Sequence, residues 1–185
     1  MRVLGQASIL RLPIVALICS VQCPGSVVIK TFDAIRELRD AGIVVAGGFH
    51  SPMEKECLEF LLRGKQPIVV ALARGLGPLR LPPAWRAALE AERLLIVSPF
   101  GDDVRRINLN RAEERNNFVA TLAGAVLIPH ASSQGKTEAT ANCVIQRGQS
   151  LFTFDDEANS RLLALGATRY HLDVVKSAVA PEEAR

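Results

Sequence analysis

The sequence predicts an α/β protein with a Rossmann-like three-layer α/β/α architecture and a mostly parallel sheet. Short apolar runs rich in branched residues recur along the chain, and helical patterns fill the gaps between them. Runs of this kind are apolar at every position instead of at alternate ones, as expected of strands buried on both faces of a parallel sheet.

The strand-like runs fall at residues 14–20, 43–46, 67–73, 94–98, 125–128 and 151–154. Between the first two, Val28, Phe32, Ile35 and Leu38 keep a helical spacing while Asp33, Arg36, Glu37 and Asp40 face the other way, and Gly42 stops the helix. The next helix buries Met53, Cys57, Phe60 and Leu61, with Ser51 as N-cap and Pro52 at the first helical position. A third opens at Pro82-Pro83 and carries Trp85, Ala88 and Leu89. Helices of this length between strands imply right-handed crossovers. No internal repeat or long linker interrupts the pattern, so residues 1–176 read as a single domain and residues 177–185 as a flexible tail.

A chain of 185 residues with 49% apolar content can bury one sizeable core. The net charge of +3, from 22 basic and 19 acidic side chains, is too small to imply a polyanion partner. Any nucleic-acid site must come from clustering, and Arg74, Arg80, Arg105, Arg106, Arg111 and Arg115 fall in or beside predicted loops. The cysteines Cys19, Cys23, Cys57 and Cys143 lie on apolar strands or helix faces and read as buried thiols of a reducing, cytoplasmic compartment. The C-x3-C spacing of Cys19 and Cys23 has no second ligand pair after it, so no metal site is expected. The apolar run near the start is interrupted by Arg11 and is far too short to span a membrane; it reads as a core strand.

In open α/β sheets the ligand lies beyond the carboxyl ends of the strands, where glycines and helix N-termini offer unpaired N–H groups to an anion. Here that position is held by Gly47, Gly48, His50 and Ser51 after the second strand, and by Ser133, Gly135, Lys136 and Thr137 after the fifth. Gly47 and Gly48 would let backbone approach a phosphate closely. Lys136 and Thr137 would add a cation and a hydroxyl at a helix start. Arg115, near a helix start, could clamp a phosphate through two N–H groups, and Asn116 could contact a base or ribose. Ser51 also has a purely structural reading as a helix cap, and Asn159 as a tie for the closing loop.

Several segments resemble the Rossmann-like core of the DNA-processing protein A family (DprA, also called Smf). Arg115 to Leu122 (RNNFVATL) is similar to that family's RNRIIAGLS-type segment, Ser133 to Thr140 (SQGKTEAT) to its SGSLxTA-type turn, and Arg147 to Phe154 (RGQSLFTF) to its GRxVFAVPG segment. Asn159 to Ala167 matches a late N-x-LI-x-x-GA. The family's VGSR turn aligns with Ile18 to Val21, which keeps Ser20 but replaces the arginine by Val21, and the family's histidine becomes Leu58. The resemblance implies binding of single-stranded DNA without catalysis or cofactor, help in loading a recombinase, and a homodimer formed through the core.

Three rival readings use the same residues. The segment from His130 to Thr137 differs from a phosphate-binding G-x-x-x-x-G-K-S/T loop at its first glycine, but it sits late in the chain. A domain that senses one small nucleotide would use the same pocket. A phosphoribohydrolase would need a carboxylate pair, for which Glu54 and Glu138 are the candidates.

Overall fold

The computed structural model describes residues 1–180 of the chain. Its centre is an eight-stranded sheet in the order β1-β5-β4-β3-β2-β6-β7-β8. The strands are β1 (Arg2–Gly5), β2 (Ile14–Leu17), β3 (Val44–Gly47), β4 (Ile68–Ala71), β5 (Leu94–Ser98), β6 (Ala125–Leu127), β7 (Ser150–Thr153) and β8 (Thr168–Arg169). From β2 to β8 every pairing is parallel, and β1 runs antiparallel along the outer edge of β5. The helices are α1 (Gly25–Asp40), α2 (Pro52–Leu62), α3 (Pro83–Glu90), α4 (Leu109–Leu122), α5 (Lys136–Gln146), α6 (Ser160–Ala164) and α7 (Leu172–Val179).

The sheet separates two apolar layers, because alternate residues of each strand point to opposite faces. On one face Val15, Leu17, Val45, Val70 and Ile96 pack with residues of α1, α2, α3 and α7 such as Ile35, Leu61, Ala88 and Val175. On the other, Ala16, Ala46, Val69 and Val97 meet Val119 of α4, Val144 of α5 and Leu162 of α6. The continuous branched runs make this possible, since a strand covered on both sides is apolar along its length, with polar residues such as Ser98 and Thr153 confined to strand ends. Each fully buried Val, Leu or Ile contributes roughly 1.5–3 kcal/mol, which makes the central strands the main source of stability.

Local signals set the element ends. Gly42, at φ 73°, turns the chain out of α1. Pro52 begins α2, with Ser51 as N-cap and Glu54 completing a reciprocal capping box.

The structure departs from the sequence-based expectations at several points. The start holds a separate edge strand, β1, whose four residues are all exposed; such a strand shows no apolar period to read. Arg111 and Arg115 are not loop residues, because α4 begins at Leu109, capped by the Asn108 side chain, which puts Arg115 well inside the helix. The proposed tail begins too early, since residues up to Val179 belong to α7 and Val179 packs against Gly124. Residues 181–185 of that tail lie outside the described residues. Of the four cysteines, Cys19 and Cys57 are buried, but Cys143 faces solvent on α5 and Cys23 is half-buried. Among the described residues no helix is long and apolar enough to cross a membrane.

Candidate nucleic-acid interface

The chain leaves β2 toward β3 on one side, while β6 lies against β2 on the other. This reversal of strand order opens a crevice at the carboxyl ends of β2 and β6, the usual ligand position in such sheets. A cleft of about 480 Å³ occupies it, walled by the turn after β2, the start of α2, the middle of α4 and the turn into α5.

The turn after β2 is fastened on both sides. The Ser20 hydroxyl accepts a hydrogen bond from Ser132 N–H at 2.9 Å, and Ser20 N–H donates to the His130 carbonyl at 3.1 Å, which joins the β2 and β6 turns. On the other side the Glu54 carboxylate accepts from Cys19 N–H and His50 N–H, each at 2.9 Å, and from Ser51 N–H at 3.1 Å. Three amide donors and a nearby guanidinium, that of Arg115, compensate the burial of this charge. The consequence for binding is negative: the amides at the start of α2 already have an anion, supplied by the protein itself.

The start of α5 is different. Its N-cap is Gly135, which provides no side-chain acceptor, so the first amides of the helix face the cleft with the positive end of the dipole. Lys136 and Thr137 border the same space. Lys136 Nζ pairs with Glu113 at 2.9 Å across to α4, which answers the cost of a lysine in a first turn. Glu138 turns back to accept from Gln134 N–H at 2.6 Å and from Arg161 at 2.6 Å; the Arg161 hydrogen bond, first among its causes, holds the carboxyl below its ordinary value.

Arg115 is 5% exposed and forms part of the cleft wall instead of reaching into it. Its Nε donates to Asn116 Oδ1 at 3.0 Å and its Nη1 to the Ala71 carbonyl at 3.4 Å. The guanidinium fills the space that a side chain at Gly48 would need, since a Cβ there would collide with Nη1 and Cζ. Burial lowers the guanidinium's ordinary value and the Glu54 charge raises it. On the far side of Arg115 lies a small hollow of about 50 Å³ that includes Gly48 and shares His50 and Ala112 with the cleft.

The structure therefore brings Ser20, His50, Ser51, Arg115, Asn116, Gly135, Lys136 and Thr137 to one cleft. Gly47 does not line it; this residue ends β3, and a Cβ would meet the Phe49 ring at 3.1 Å and the Leu17 carbonyl at 3.2 Å. Gly48 is separated from it by Arg115. Ser133 is exposed outside it, while Ser132 takes the inner position. His50 is exposed at the rim, and Ser51, 4% exposed, is occupied as the α2 cap. Asn159 is fully buried and donates to the carbonyls of Pro129, at 2.8 Å, and Phe154, at 3.3 Å, so it secures loops and touches no ligand space. Glu54 and Glu138 do not form a pair, because Glu54 alone of the two borders the cleft.

Two features of the wall go beyond the sequence reading, the role of Glu54 and the apolar rim. The Ser51-to-Glu54 spacing is a capping-box signature, the signal that distinguishes a structural Glu54 from half of a carboxylate pair. Leu109, 74% exposed, and Val21, 72% exposed, stand on the rim, and no sequence signal distinguishes such residues from ordinary exposed aliphatics.

Comparisons with known proteins agree with this fold. The chain superposes on DNA processing protein A from Helicobacter pylori with a TM-score of 0.76 at 20% identity, covering 95% of this chain and 84% of that one. For DprA from Streptococcus pneumoniae the TM-score is 0.77 at 17% identity, with 95% of this chain but 64% of that protein covered. The molybdenum cofactor binding protein of Rippkaea orientalis shares the fold at a TM-score of 0.64 and 12% identity, covering 92% and 99% of the two chains. No curated protein matches the chain in sequence. The sequence profile of the family described as DNA recombination-mediator protein A matches residues 1–176, and the chain belongs to that family.

Proposed function

We propose that this protein binds single-stranded DNA through its phosphate backbone in the cleft at the β2/β6 switch point, without breaking a bond. The observation that carries the reading is the uncapped start of α5, whose free amides, Lys136 and Thr137 face a cleft walled on the opposite side by the Arg115 cation. The Helicobacter pylori protein, of the same fold, is described for its binding of single-stranded DNA. Where the family carries an arginine, Val21 presents an apolar face to the cleft mouth, so the remaining contacts are backbone amides, hydroxyls and Lys136. Family membership supports two further elements of the proposal: self-association through the core, and delivery of a recombinase to the bound strand in the cytoplasm.

A titration with labelled single-stranded DNA at two salt concentrations tests this. Affinity should fall as salt rises, and Lys136→Ala should weaken binding by about 1 kcal/mol on every sequence while lowering the salt dependence by roughly 0.7. If no strand binds at low salt while a free nucleotide raises the melting temperature, the cleft holds one small nucleotide instead.

A further inference from the structure

The cleft is one of a row of hollows along the carboxyl edge of the sheet. The small hollow behind Arg115 reaches Ala73 in the loop after β4 and Ile107 before α4. Directly beyond it a hollow of about 430 Å³ opens between the loops that follow β4 and β5, lined by Arg74, Gly75, Pro78, Asp102, Val104 and Arg105. Its floor is rigidly built. Ser98, fully buried at the end of β5, donates its hydroxyl proton to the Arg74 carbonyl at 2.7 Å and accepts from Phe100 N–H at 3.0 Å. Gly75 N–H donates to the Val104 carbonyl at 2.8 Å, and a Cβ on Gly75 would strike the Gly101 carbonyl.

These bonds tie the two loops together through backbone and Ser98, which sets Arg74 and Arg105 on the lining of one hollow. Among the described residues neither Arg74 nor Arg105 makes an ion pair, although Asp102 borders the same hollow. Two cations without carboxylate partners, facing one space, suit an anion that arrives from outside. Between this hollow and the cleft, Ile107 is 50% exposed and Leu109 74% exposed, an apolar step on which bases can rest while phosphates stay at the basic sites.

We infer that Arg74 and Arg105 form a second phosphate subsite for the same DNA strand, which runs from the cleft across β3 and β4 to β5. This rests on the single-strand reading given above. From β2 to β5 there are three strand spacings of about 4.8 Å, roughly 14 Å, a distance that a few nucleotides cover.

The test compares a trinucleotide with an octanucleotide of thymidine on the full chain and on the double variant Arg74→Ala/Arg105→Ala. Arg105 is exposed and Arg74 half-buried, both lie outside the cleft, and unchanged circular dichroism and melting confirm the fold. In the wild type the octanucleotide should bind about tenfold more tightly than the trinucleotide. In the double variant that advantage should disappear, with the octanucleotide's salt slope lower by about 1.4, while trinucleotide affinity stays at the wild-type value. A double variant that keeps the full length advantage overturns the second subsite and leaves the cleft reading intact. If neither oligonucleotide binds the wild type, both readings fall.

Discussion

Two helix N-termini open onto the same cleft, and they are finished in opposite ways. At α2, Ser51 caps the helix and Glu54 returns to take the amides of Cys19, His50 and Ser51. At α5, Gly135 leaves the first amides without a side-chain acceptor. A helix start closed by its own carboxylate contributes stability and cannot take a foreign anion; one left open loses that contribution and can. Position at the carboxyl edge of a sheet is therefore insufficient to define a binding site. What matters is whether the amides found there are already satisfied.

The comparison breaks first at Glu54. Replacing it by Gln leaves amides from two turns poorly matched and the Arg115 guanidinium without its nearby charge, and should cost about 3 kcal/mol or more in denaturant unfolding. A loss below about 1 kcal/mol would mean that α2 is not closed in the way described.

Next in size is the contact between Gly48 and Arg115. Gly48→Ala should destabilise by about 2 kcal/mol, because the guanidinium must leave its niche. With Arg115→Ala already present, the same change should cost much less, and a double-mutant cycle reads the coupling directly. Additive losses would refute the packing.

The mildest pair sharpens the contrast between the helices. Ser51→Ala should lower stability by about 1 kcal/mol and leave DNA affinity unchanged. Gly135→Ser should alter stability by less than about 0.5 kcal/mol, since a new cap is offset by the Cβ lying 2.9 Å from the Ser132 carbonyl, yet it should weaken binding by supplying a competing oxygen. Equal effects of the two substitutions on binding would erase the distinction.

Strands β2 to β7 and the α2 start are legible because each is written locally, in apolar runs and in Ser51-Pro52, whereas β8 is two exposed residues without such a run. The edge strand β1 is not legible either, since its exposed residues carry no pattern and its place depends on β5. Arg115 was legible as important but not as buried: a charge on a helix reads as solvated, and only the gap left by Gly48, distant in sequence, takes it inside. The Gly47-Gly48 pair at the end of β3 suggests room for a phosphate, but the space beside Gly48 is filled by the protein's own cation and that beside Gly47 by the Phe49 ring.

The Glu54 clasp has a mechanical corollary. Two separate turns hang from one carboxylate, so that wall of the cleft moves as a unit or not at all. Through Ser20, which bonds Ser132 and His130, the same clasp reaches the turn after β6, so three turns around the cleft are linked in series to one buried carboxylate.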